Sequence, residues 1–316
     1  MKIIFSLFLA LSFFPNAWAA DWPKRTIKLT VGFGAGGTTD STARLLAKIL
    51  EKDLGKRITV INKPGGGGSV AAALTRAQRP DGYNLFTLAT GASVLMPHML
   101  DLPYDPLKDF TFIAQYATWN FGIVAPVDAP FETLQELIEF ARQRPGSVSY
   151  GIGGAGTPPH LAMERLAQVE GLDWKAIPYT GGTAAVTALL GGHITIMAGS
   201  TEWLSQVKAG RFKLLAILSD KRMPDFPEVP TLLDLGYEIA APSILGIAGP
   251  AGIPDEVVAK LESSIASAMK SAEMENLIRN LAMQIEYRNS ADFEAHVRRE
   301  HQGQGDLIQS IGLAKQ

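Results

Sequence analysis

A GxGxxG spacing occurs twice in this chain, first in TVGFGAGGTTD (30–40) and again in VSYGIGGAGTPPH (148–160). Each copy follows an apolar run that is typical of a buried strand, and each precedes a helical pattern. Strand-like runs and helical patterns alternate along much of the remaining sequence. We therefore expect an α/β protein with mostly parallel strands.

A second internal repeat indicates two related lobes. Residues 122–126 (GIVAP) match residues 246–250 (GIAGP), and each segment is followed by a proline, a glutamate and an amphipathic helix. The copies are about 124 residues apart, far more than the roughly 20 to 50 residues of a solenoid repeat. We expect one lobe to contain residues 21–122 plus 245–316 and the other to contain residues 123–244.

The helix after the first glycine turn has the clearest pattern of the predicted elements. Apolar residues recur with helical spacing over residues 43–54, and Gly55 suits the C-terminal cap. The segment 38–40, TTD, offers side chains that could serve as the N-cap. The sequence therefore predicts an amphipathic helix that packs on a sheet and starts close to the glycines.

The first twenty residues have the pattern of a secretory leader. Lys2 precedes an apolar stretch from Ile3 to Phe14, and Ala17-Trp18-Ala19 provides small residues for cleavage. About a dozen apolar residues are too few for a membrane span, which needs about 20. We expect cleavage near Ala19 or Ala20 and export to the periplasm.

The composition excludes several classes of protein. The formal net charge is −2 with no basic block, so we expect no nucleic-acid partner. The absence of cysteine excludes disulfides, thiol catalysis and thiolate metal sites. No G-x-S-x-G, H-E-x-x-H or P-loop motif occurs, and His296 and His301 lack the i,i+4 spacing of a helical zinc site. We therefore predict no catalytic residue, no metal site and no cofactor.

Three interpretations of the glycine turns compete. A dinucleotide site needs an acidic residue about 20 positions on, but the strand after the first turn ends in Asn62 and Lys63. The glycines could simply permit positive φ in a tight turn. A row of exposed backbone N–H groups at a helix start also attracts an anion. We expect both turns to face one cleft and to hold an anionic ligand there without a salt bridge.

Ordered motifs run along the whole expected mature chain: WPKRTIKLTVGFGAGGTTDSTARLLA, VINKPGGGGSVAAA, RPDGYNLF, YDPLKDFTFIA, IPYTGGTAAVTALLGG, VKAGRFKLLA, EVPTLLDLGY and GIAGPAGIP. In these motifs the chain resembles the periplasmic solute-binding proteins of tripartite tricarboxylate transporters, also called the Bug family. The resemblance implies a two-lobed, type II periplasmic-binding-protein fold, the Venus flytrap, with a mixed sheet flanked by helices in each lobe. It also implies that loops 33–40 and 153–160 hold a ligand carboxylate through backbone N–H groups and ordered waters. Strand ends 90–93, 179–182 and 198–201 would face the same cleft.

The predicted ligand-binding residues lie in the two glycine turns and at these strand ends. They are Phe33, Gly36, Gly37, Thr38, Thr39, Asp40, Thr90, Ser93, Gly154, Gly156, Thr157, His160, Tyr179, Thr180, Ser200 and Thr201. His160 could contact the carboxylate or serve as a capping or packing residue, and Asp40 could touch the ligand or serve as the N-cap of the first helix. Trp119 and Trp203 could line the cleft or pack in the core.

The chain departs from the family pattern in its cleft loops. Gly34-Ala35 stands where relatives usually have Pro-Pro, and Pro158-Pro159 stands where they have Ser before the histidine. Thr195, Gly199 and Ser200 replace acidic residues that relatives often carry near Met197. A cleft without an acid favours a ligand without an amino group, so we expect a plain dicarboxylate. An aromatic carboxylate stays possible if both tryptophans line the cleft.

The resemblance further implies a partner in the membrane. A monomeric binding protein would deliver its small carboxylate to the membrane subunits of a tripartite tricarboxylate-type transporter. The alternative is that the closed form docks onto the outer domain of a sensor kinase. The sequence does not separate these two, because either partner would recognise the closed lobes.

Overall fold

A computed structural model describes residues 22–310 and 314–315 of the 316-residue chain. The predicted secretory leader, residues 1–20, lies outside the described residues. The structure contains a six-stranded sheet and a five-stranded sheet, each flanked by helices. We call the elements around the larger sheet the first lobe and those around the smaller sheet the second lobe. Within residues 22–310 and 314–315, no helix combines the length and apolar character that a membrane span requires.

Eleven strands of the described residues, numbered in chain order, form the two sheets. In spatial order the first sheet contains β11 (Gln284–Arg288), β4 (Phe110–Thr118), β10 (Leu245–Pro250), β3 (Asn84–Ala89), β1 (Ile27–Val31) and β2 (Ile58–Asn62). The second sheet contains β7 (Trp174–Pro178), β6 (Val148–Ile152), β8 (Ile196–Ser200), β5 (Phe121–Pro126) and β9 (Phe212–Ile217).

Ten α-helices connect and cover the sheets in the described part of the chain. They are α1 (Thr38–Leu54), α2 (Ser69–Arg76), α3 (Met96–Met99), α4 (Leu134–Gln143), α5 (Pro158–Glu170), α6 (Gly182–Leu190), α7 (Leu204–Lys208), α8 (Asp255–Met269), α9 (Ala272–Asn280) and α10 (Ser290–Ser310). Short 3₁₀ turns cover residues 66–68 and 201–203, and a π-helical turn covers residues 91–95.

The two sheets repeat one arrangement. β1 is parallel to its neighbours β2 and β3, and β6 is parallel to β7 and β8. β10 is antiparallel to β3 and β4, and β5 is antiparallel to β8 and β9. The repeated GIVAP and GIAGP segments therefore lie in equivalent strands. The expectation of mostly parallel strands is wrong, because in each sheet a strand that arrives from the other lobe is antiparallel to its neighbours. The mixed α/β sheets implied by the family resemblance are confirmed.

The chain crosses between the sheets twice. It passes from the first sheet to the second between Thr118 and Phe121, and it returns between Ile217 and Leu245. The two crossings lie side by side, and the N–H of Trp119 in the first donates to the Ser243 hydroxyl in the second at 2.6 Å. The exact division of the chain into residues 21–122 plus 245–316 and residues 123–244 stays a prediction.

Helix α1 confirms most of its predicted pattern. Its apolar stripe, residues 43–54, is buried at Ala43, Leu46, Ala47, Leu50 and Leu54. Gly55 caps the C-terminus in the left-handed conformation and donates its N–H to the Glu51 carbonyl. The predicted N-cap is wrong: the cap residue is Gly37, and the TTD segment already belongs to the first turn of the helix.

Candidate ligand-binding site

A small cavity lies between the lobes where both glycine turns end. Its volume is about 50 Å³. Six of the residues predicted from the sequence line it: Phe33, Gly37, Thr39, Thr90, Thr157 and Ser200. The other lining residues are Gly34, Ala89, Gly91, Trp119, Phe121, Gly153, Pro158, Pro159, Gly181, Gly182, Gly199 and Glu202. We call this space the cleft cavity.

A larger adjacent cavity shares Phe33 and Gly153 with the cleft cavity and has a volume of about 410 Å³. Gly154, Tyr179 and Thr180, which were also predicted from the sequence, line this second space. The remaining predicted residues line neither cavity: they are Gly36, Thr38, Asp40, Ser93, Gly156, His160 and Thr201. Several of them instead shape the loops that form the walls.

The first glycine turn places the start of α1 at the cleft cavity. Gly36 has a φ of +80°, a conformation that glycine adopts without strain. The N–H of Gly34 donates to the Thr180 carbonyl of the second lobe at 2.8 Å, and the N–H of Gly36 donates to Asp40. The expected open row of N–H donors is therefore partly occupied by the protein itself. Gly37 and Thr39 at the helix start are the members of this turn that reach the cleft cavity with Phe33 and Gly34.

Asp40 stabilises the first glycine turn from a position outside the cleft cavity. Its Oδ2 accepts the Gly36 N–H and the Arg44 Nε, each at 2.9 Å, and its Oδ1 accepts the Asn62 amide at 2.8 Å. Asp40 is 3% exposed and is not the N-cap, because its carboxylate reaches back past Gly37 to the N–H of the preceding residue. Burial raises the pKa of this carboxyl, but the hydrogen bonds and the charge of Arg44 outweigh burial, so the net pKa is below the usual 3.8.

We predict that Asp40→Asn lowers the free energy of unfolding by about 1.5–3 kcal/mol at neutral pH, because it removes the charged partner of a buried network. The folded-state pKa lies below that of the unfolded chain. The stability that Asp40 supplies is therefore present above about pH 3.8 and is lost as the pH falls through the folded-state pKa. Urea unfolding of wild type and variant along a pH series measures the difference.

The control for this prediction is Asp128→Asn, which removes the same charge from an exposed position in the second lobe. It should leave stability unchanged within about 0.5 kcal/mol. A difference between wild type and Asp40→Asn that stays constant as the pH falls below 3.8 would contradict the assigned role of the charge.

The second glycine turn leads into two residues that have no backbone donor. Helix α5 begins with Pro158 and Pro159, which have no N–H. The N–H of Gly156 donates to the Nδ1 of His160 at 3.2 Å, and the Thr157 hydroxyl donates to the Gly154 carbonyl at 2.8 Å. The row of N–H groups expected at this turn is therefore interrupted by the two prolines and by the bond between Gly156 and His160.

His160 closes the second turn and does not line the cleft cavity. Its Nδ1 accepts a hydrogen bond, so this nitrogen carries no proton in the observed geometry. Burial lowers the pKa of His160, although the charge of Glu164 acts in the opposite direction. Of the two roles considered from the sequence, this geometry corresponds to the capping role.

Glu202 lies in the cleft cavity and is the main feature that the sequence did not indicate. Its Oε1 accepts the backbone N–H of Thr38 at 3.2 Å and the Thr38 hydroxyl at 3.0 Å, and its Oε2 accepts the Ser200 hydroxyl at 2.5 Å. The premise of a cleft without an acid is therefore wrong. Glu202 was missed because it follows β8 in a 3₁₀ turn, where no simple period predicts side-chain direction.

The two tryptophans have different roles. Trp119 lines the cleft cavity, and its indole N–H donates to the Thr38 hydroxyl at 3.0 Å. Its ring lies 6.4 Å from Phe33 and 6.2 Å from Phe121, between centroids. Trp203 is fully buried in the second lobe, where its indole N–H donates to the Gly199 carbonyl at 3.1 Å. Sequence reasoning left Trp119 open and missed Phe121 and Ala89, which stand at strand ends without a polar signal.

Two lobes with mixed sheets, a cleft between them and helix starts that face this cleft define a two-lobed ligand-binding protein. Residues 42–313 match the family model of the tripartite tricarboxylate transporter family receptor, TctC. The chain therefore belongs to this family, whose members are periplasmic binding proteins and not enzymes. No group of three or more His, Cys, Asp or Glu side chains in the described ranges could hold a metal ion.

Individual relatives agree with this assignment. The chain is 36% identical to a UPF0065 protein in the gbd 5' region of Cupriavidus necator, over 97% of this chain and 94% of the relative. It superimposes on the periplasmic binding protein BugD with a TM-score of 0.88 and 29% identity, over 93% of this chain and all of that one.

Two solved structures of similar proteins contain carboxylates. The protein Rpa4515 of R. palustris, solved with adipate, has a TM-score of 0.87 and 27% identity, over 93% of this chain and 99% of that one. MatC of Rhodopseudomonas palustris, solved with bound malate, has a TM-score of 0.86 and 25% identity, over 91% of this chain and all of that one.

Proposed function

We propose that this protein captures a small carboxylate in the cleft cavity and delivers it to the membrane subunits of a tripartite tricarboxylate-type transporter. One observation carries the proposal. The starts of α1, α5 and α6 converge on the cleft cavity, which Gly37, Thr39, Thr157, Pro158 and Gly182 line together. Two of these helices belong to the second lobe and one to the first, so a ligand would be held from both sides.

Helix starts attract anions for an electrostatic reason. Each carries about half a positive elementary charge, which stabilises a nearby anion by about 0.3–1 kcal/mol when exposed and up to about 2 kcal/mol when partly buried. Hydrogen bonds to a charged group add about 1.5–3 kcal/mol each. Three converging helix starts therefore favour a carboxylate without a cationic side chain. The adipate and malate in similar proteins support the same class of ligand.

The walls of the cleft cavity favour an apolar body on the ligand. Phe33, Trp119, Phe121 and the two prolines of α5 supply apolar surface around the helix starts. The sequence left an aromatic carboxylate possible if both tryptophans lined the cleft, but Trp203 does not line the cleft cavity.

We further propose the ligand contacts, the site of export, the oligomeric state and the lobe boundaries, which the family assignment leaves open. The ligand contacts are the six lining residues predicted from the sequence: Phe33, Gly37, Thr39, Thr90, Thr157 and Ser200. The protein is exported to the periplasm after cleavage near Ala19 or Ala20, and it acts as a monomer with the lobe boundaries predicted above. The contacts follow from the lining of the cleft cavity, the export from the leader pattern and the lobe boundaries from the internal repeat.

A thermal-shift screen of the mature protein against mono-, di- and tricarboxylates tests binding. A ligand at 100 times its Kd stabilises the native state by about 2.7 kcal/mol. At about 2–4 °C per kcal/mol for a chain of this size class, the Tm should rise by about 5–10 °C. Acids that raise the Tm should be recovered unchanged. The proposal fails if no acid in the screen raises the Tm, or if the bound acid is converted to another compound.

A deletion strain tests the partner. Loss of the protein should abolish uptake of the radiolabelled acid found in the screen, and expression of the protein should restore it. If uptake persists and only the transcriptional response to the acid is lost, the transport role is wrong and the sensor-kinase alternative is favoured.

A further inference from the structure

Glu202 lies where the two lobes meet. A Cβ atom on Gly182, the first residue of α6, would be only 2.5 Å from the Glu202 carboxylate, and one on Gly37 would be 3.4 Å from its Oε1. The carboxylate therefore packs between the start of α6 in the second lobe and the start of α1 in the first. These are two of the three helix starts that converge on the cleft cavity.

The partners of Glu202 are donors of the kind that a ligand carboxylate would use. Oε1 accepts both the N–H and the hydroxyl of Thr38, and Oε2 accepts the hydroxyl of Ser200. Both partners were predicted from the sequence as ligand-binding residues. One set of carboxylate donors in this cleft is thus already satisfied by a side chain of the protein.

The cleft cavity contains no charge that would offset a second anion. None of the residues that line it is lysine or arginine, within the described part of the chain. The nearest cation of the first turn, Arg44, is paired with Asp40 behind the loop. A dicarboxylate would therefore place two negative charges beside Glu202 with only backbone and hydroxyl dipoles to stabilise them.

We propose that Glu202 is a specificity-determining residue: it occupies one carboxylate position of the cleft and restricts the ligand to a molecule with a single carboxylate. This inference rests on the proposed function. The ligand carboxylate lies on the side of the cleft cavity lined by Thr90 and Thr157, and the apolar walls contact its chain. The expected ligand is thus a monocarboxylate, in place of the plain dicarboxylate expected from the sequence.

Coulomb's law gives the size of the effect. Two like charges about 5 Å apart at an effective dielectric constant of about 20 repel each other enough to change a binding constant by a factor on the order of 100. Relaxation and water in an open cleft reduce this factor. We therefore expect Glu202 to disfavour a second carboxylate by about 10-fold to 100-fold.

Isothermal titration calorimetry with two matched pairs of acids tests the inference: hexanoate against adipate, and 2-hydroxybutyrate against malate. In each pair, the monocarboxylate has a methyl group where the dicarboxylate has its second carboxylate. Wild type should bind the monocarboxylate at least 10-fold more tightly than its partner. Glu202→Gln should reduce this preference at least 10-fold, because the amide oxygen still accepts from Thr38 and the amide N–H can donate to Ser200, but the charge is gone.

Glu228→Gln is the matched control, since it removes the same charge from an exposed position in the same lobe. It should leave both ratios unchanged, and thermal unfolding should show that all three proteins are folded. The inference is overturned if wild type binds the dicarboxylate as tightly as its partner, or if Glu202→Gln leaves the ratios as in wild type. If no acid of either pair binds wild type or Glu202→Gln while another acid of the thermal-shift screen does, this inference is overturned and the proposed function stands; if no acid of that screen binds either, both fail.

Discussion

Replacing Trp119 by alanine is expected to lower the free energy of unfolding by about 3–5 kcal/mol, the usual cost of removing a buried aromatic side chain. Trp119 is 7% exposed and lies where the chain crosses from the first sheet to the second. Its ring contacts Phe33 and Phe121, and its N–H fixes the Thr38 hydroxyl that donates to Glu202. The same substitution should therefore weaken carboxylate binding at least 10-fold.

Trp174→Ala separates the two effects of this substitution. Trp174 is 8% exposed, in the edge strand β7 of the second lobe, and it packs against Tyr150 away from the cleft cavity. The Trp174→Ala variant should lose about as much free energy of unfolding as Trp119→Ala and should keep wild-type affinity for the same acid. Urea unfolding and calorimetry at a temperature where both variants are folded measure the two quantities. If Trp119→Ala binds like Trp174→Ala, Trp119 acts only in packing.

Trp119→Phe isolates the indole N–H. The phenyl ring retains most of the apolar contact, so this variant should lose much less stability than the alanine variant. It no longer donates to Thr38, so the hydroxyl is free to rotate and its bond to Glu202 is less well fixed. Binding should fall by a smaller factor than in Trp119→Ala, and equal losses in the two variants would contradict a role for the ring.

Elements with a strong local pattern could be predicted from the sequence. The stripe of α1, the cap at Gly55 and the equivalence of β5 and β10 depend on spacing between near neighbours or on a repeated segment. Such features depend on local backbone geometry and on one apolar face, which the order of residues specifies directly. The position of the cleft between two strand–turn–helix units follows from the same information.

Features that depend on contacts between the lobes could not be predicted in this way. The N–H of Gly34 donates to the Thr180 carbonyl. The N–H of Thr38 donates to Glu202, which is 164 positions further along the chain. Both bonds exist only because the lobes approach each other. The sequence pattern therefore indicated which loops face the cleft, but it overestimated the number of donors left for a ligand and missed the acid among them.

The expected mostly parallel sheets illustrate the same limit. Alternation of strands and helices describes β1, β2 and β3 well, and these strands are parallel. β10 arrives from the other lobe and is antiparallel to β3, a direction that depends on where the chain crosses. A local sequence pattern contains no information about that crossing. The mixed sheets were instead implied by the resemblance to the family.

Gly156→Ala is expected to reduce carboxylate affinity at least 100-fold by preventing closure of the lobes. Gly156 belongs to the turn after β6 in the second lobe, and a Cβ at this position would lie 1.7 Å from the Sδ of Met96 in α3 of the first lobe. Met96 is 4% exposed, so its side chain has little room to move aside. If the Met96 side chain keeps its position the lobes have to separate, and the helix starts then no longer converge on one ligand.

Backbone strain must be separated from this clash, because Gly156 has a φ of +70° and alanine in that conformation costs about 1–2 kcal/mol. Gly171 has a φ of +64°, and a Cβ there would meet nothing within 4 Å. Gly171→Ala should therefore lose similar stability but retain binding. Calorimetry measures affinity, and small-angle scattering with and without the acid measures whether the lobes come together.

The double variant Gly156→Ala, Met96→Ala tests the clash itself. It keeps the strained backbone but removes the three Met96 atoms that the new Cβ would meet, so closure and most of the affinity should return. Recovery in the double variant, with normal binding by Gly171→Ala, would show that Gly156 is required so that the second turn can approach α3. If Gly156→Ala binds as wild type does, or if the double variant stays as weak as the single one, contact between these two elements is not what limits closure.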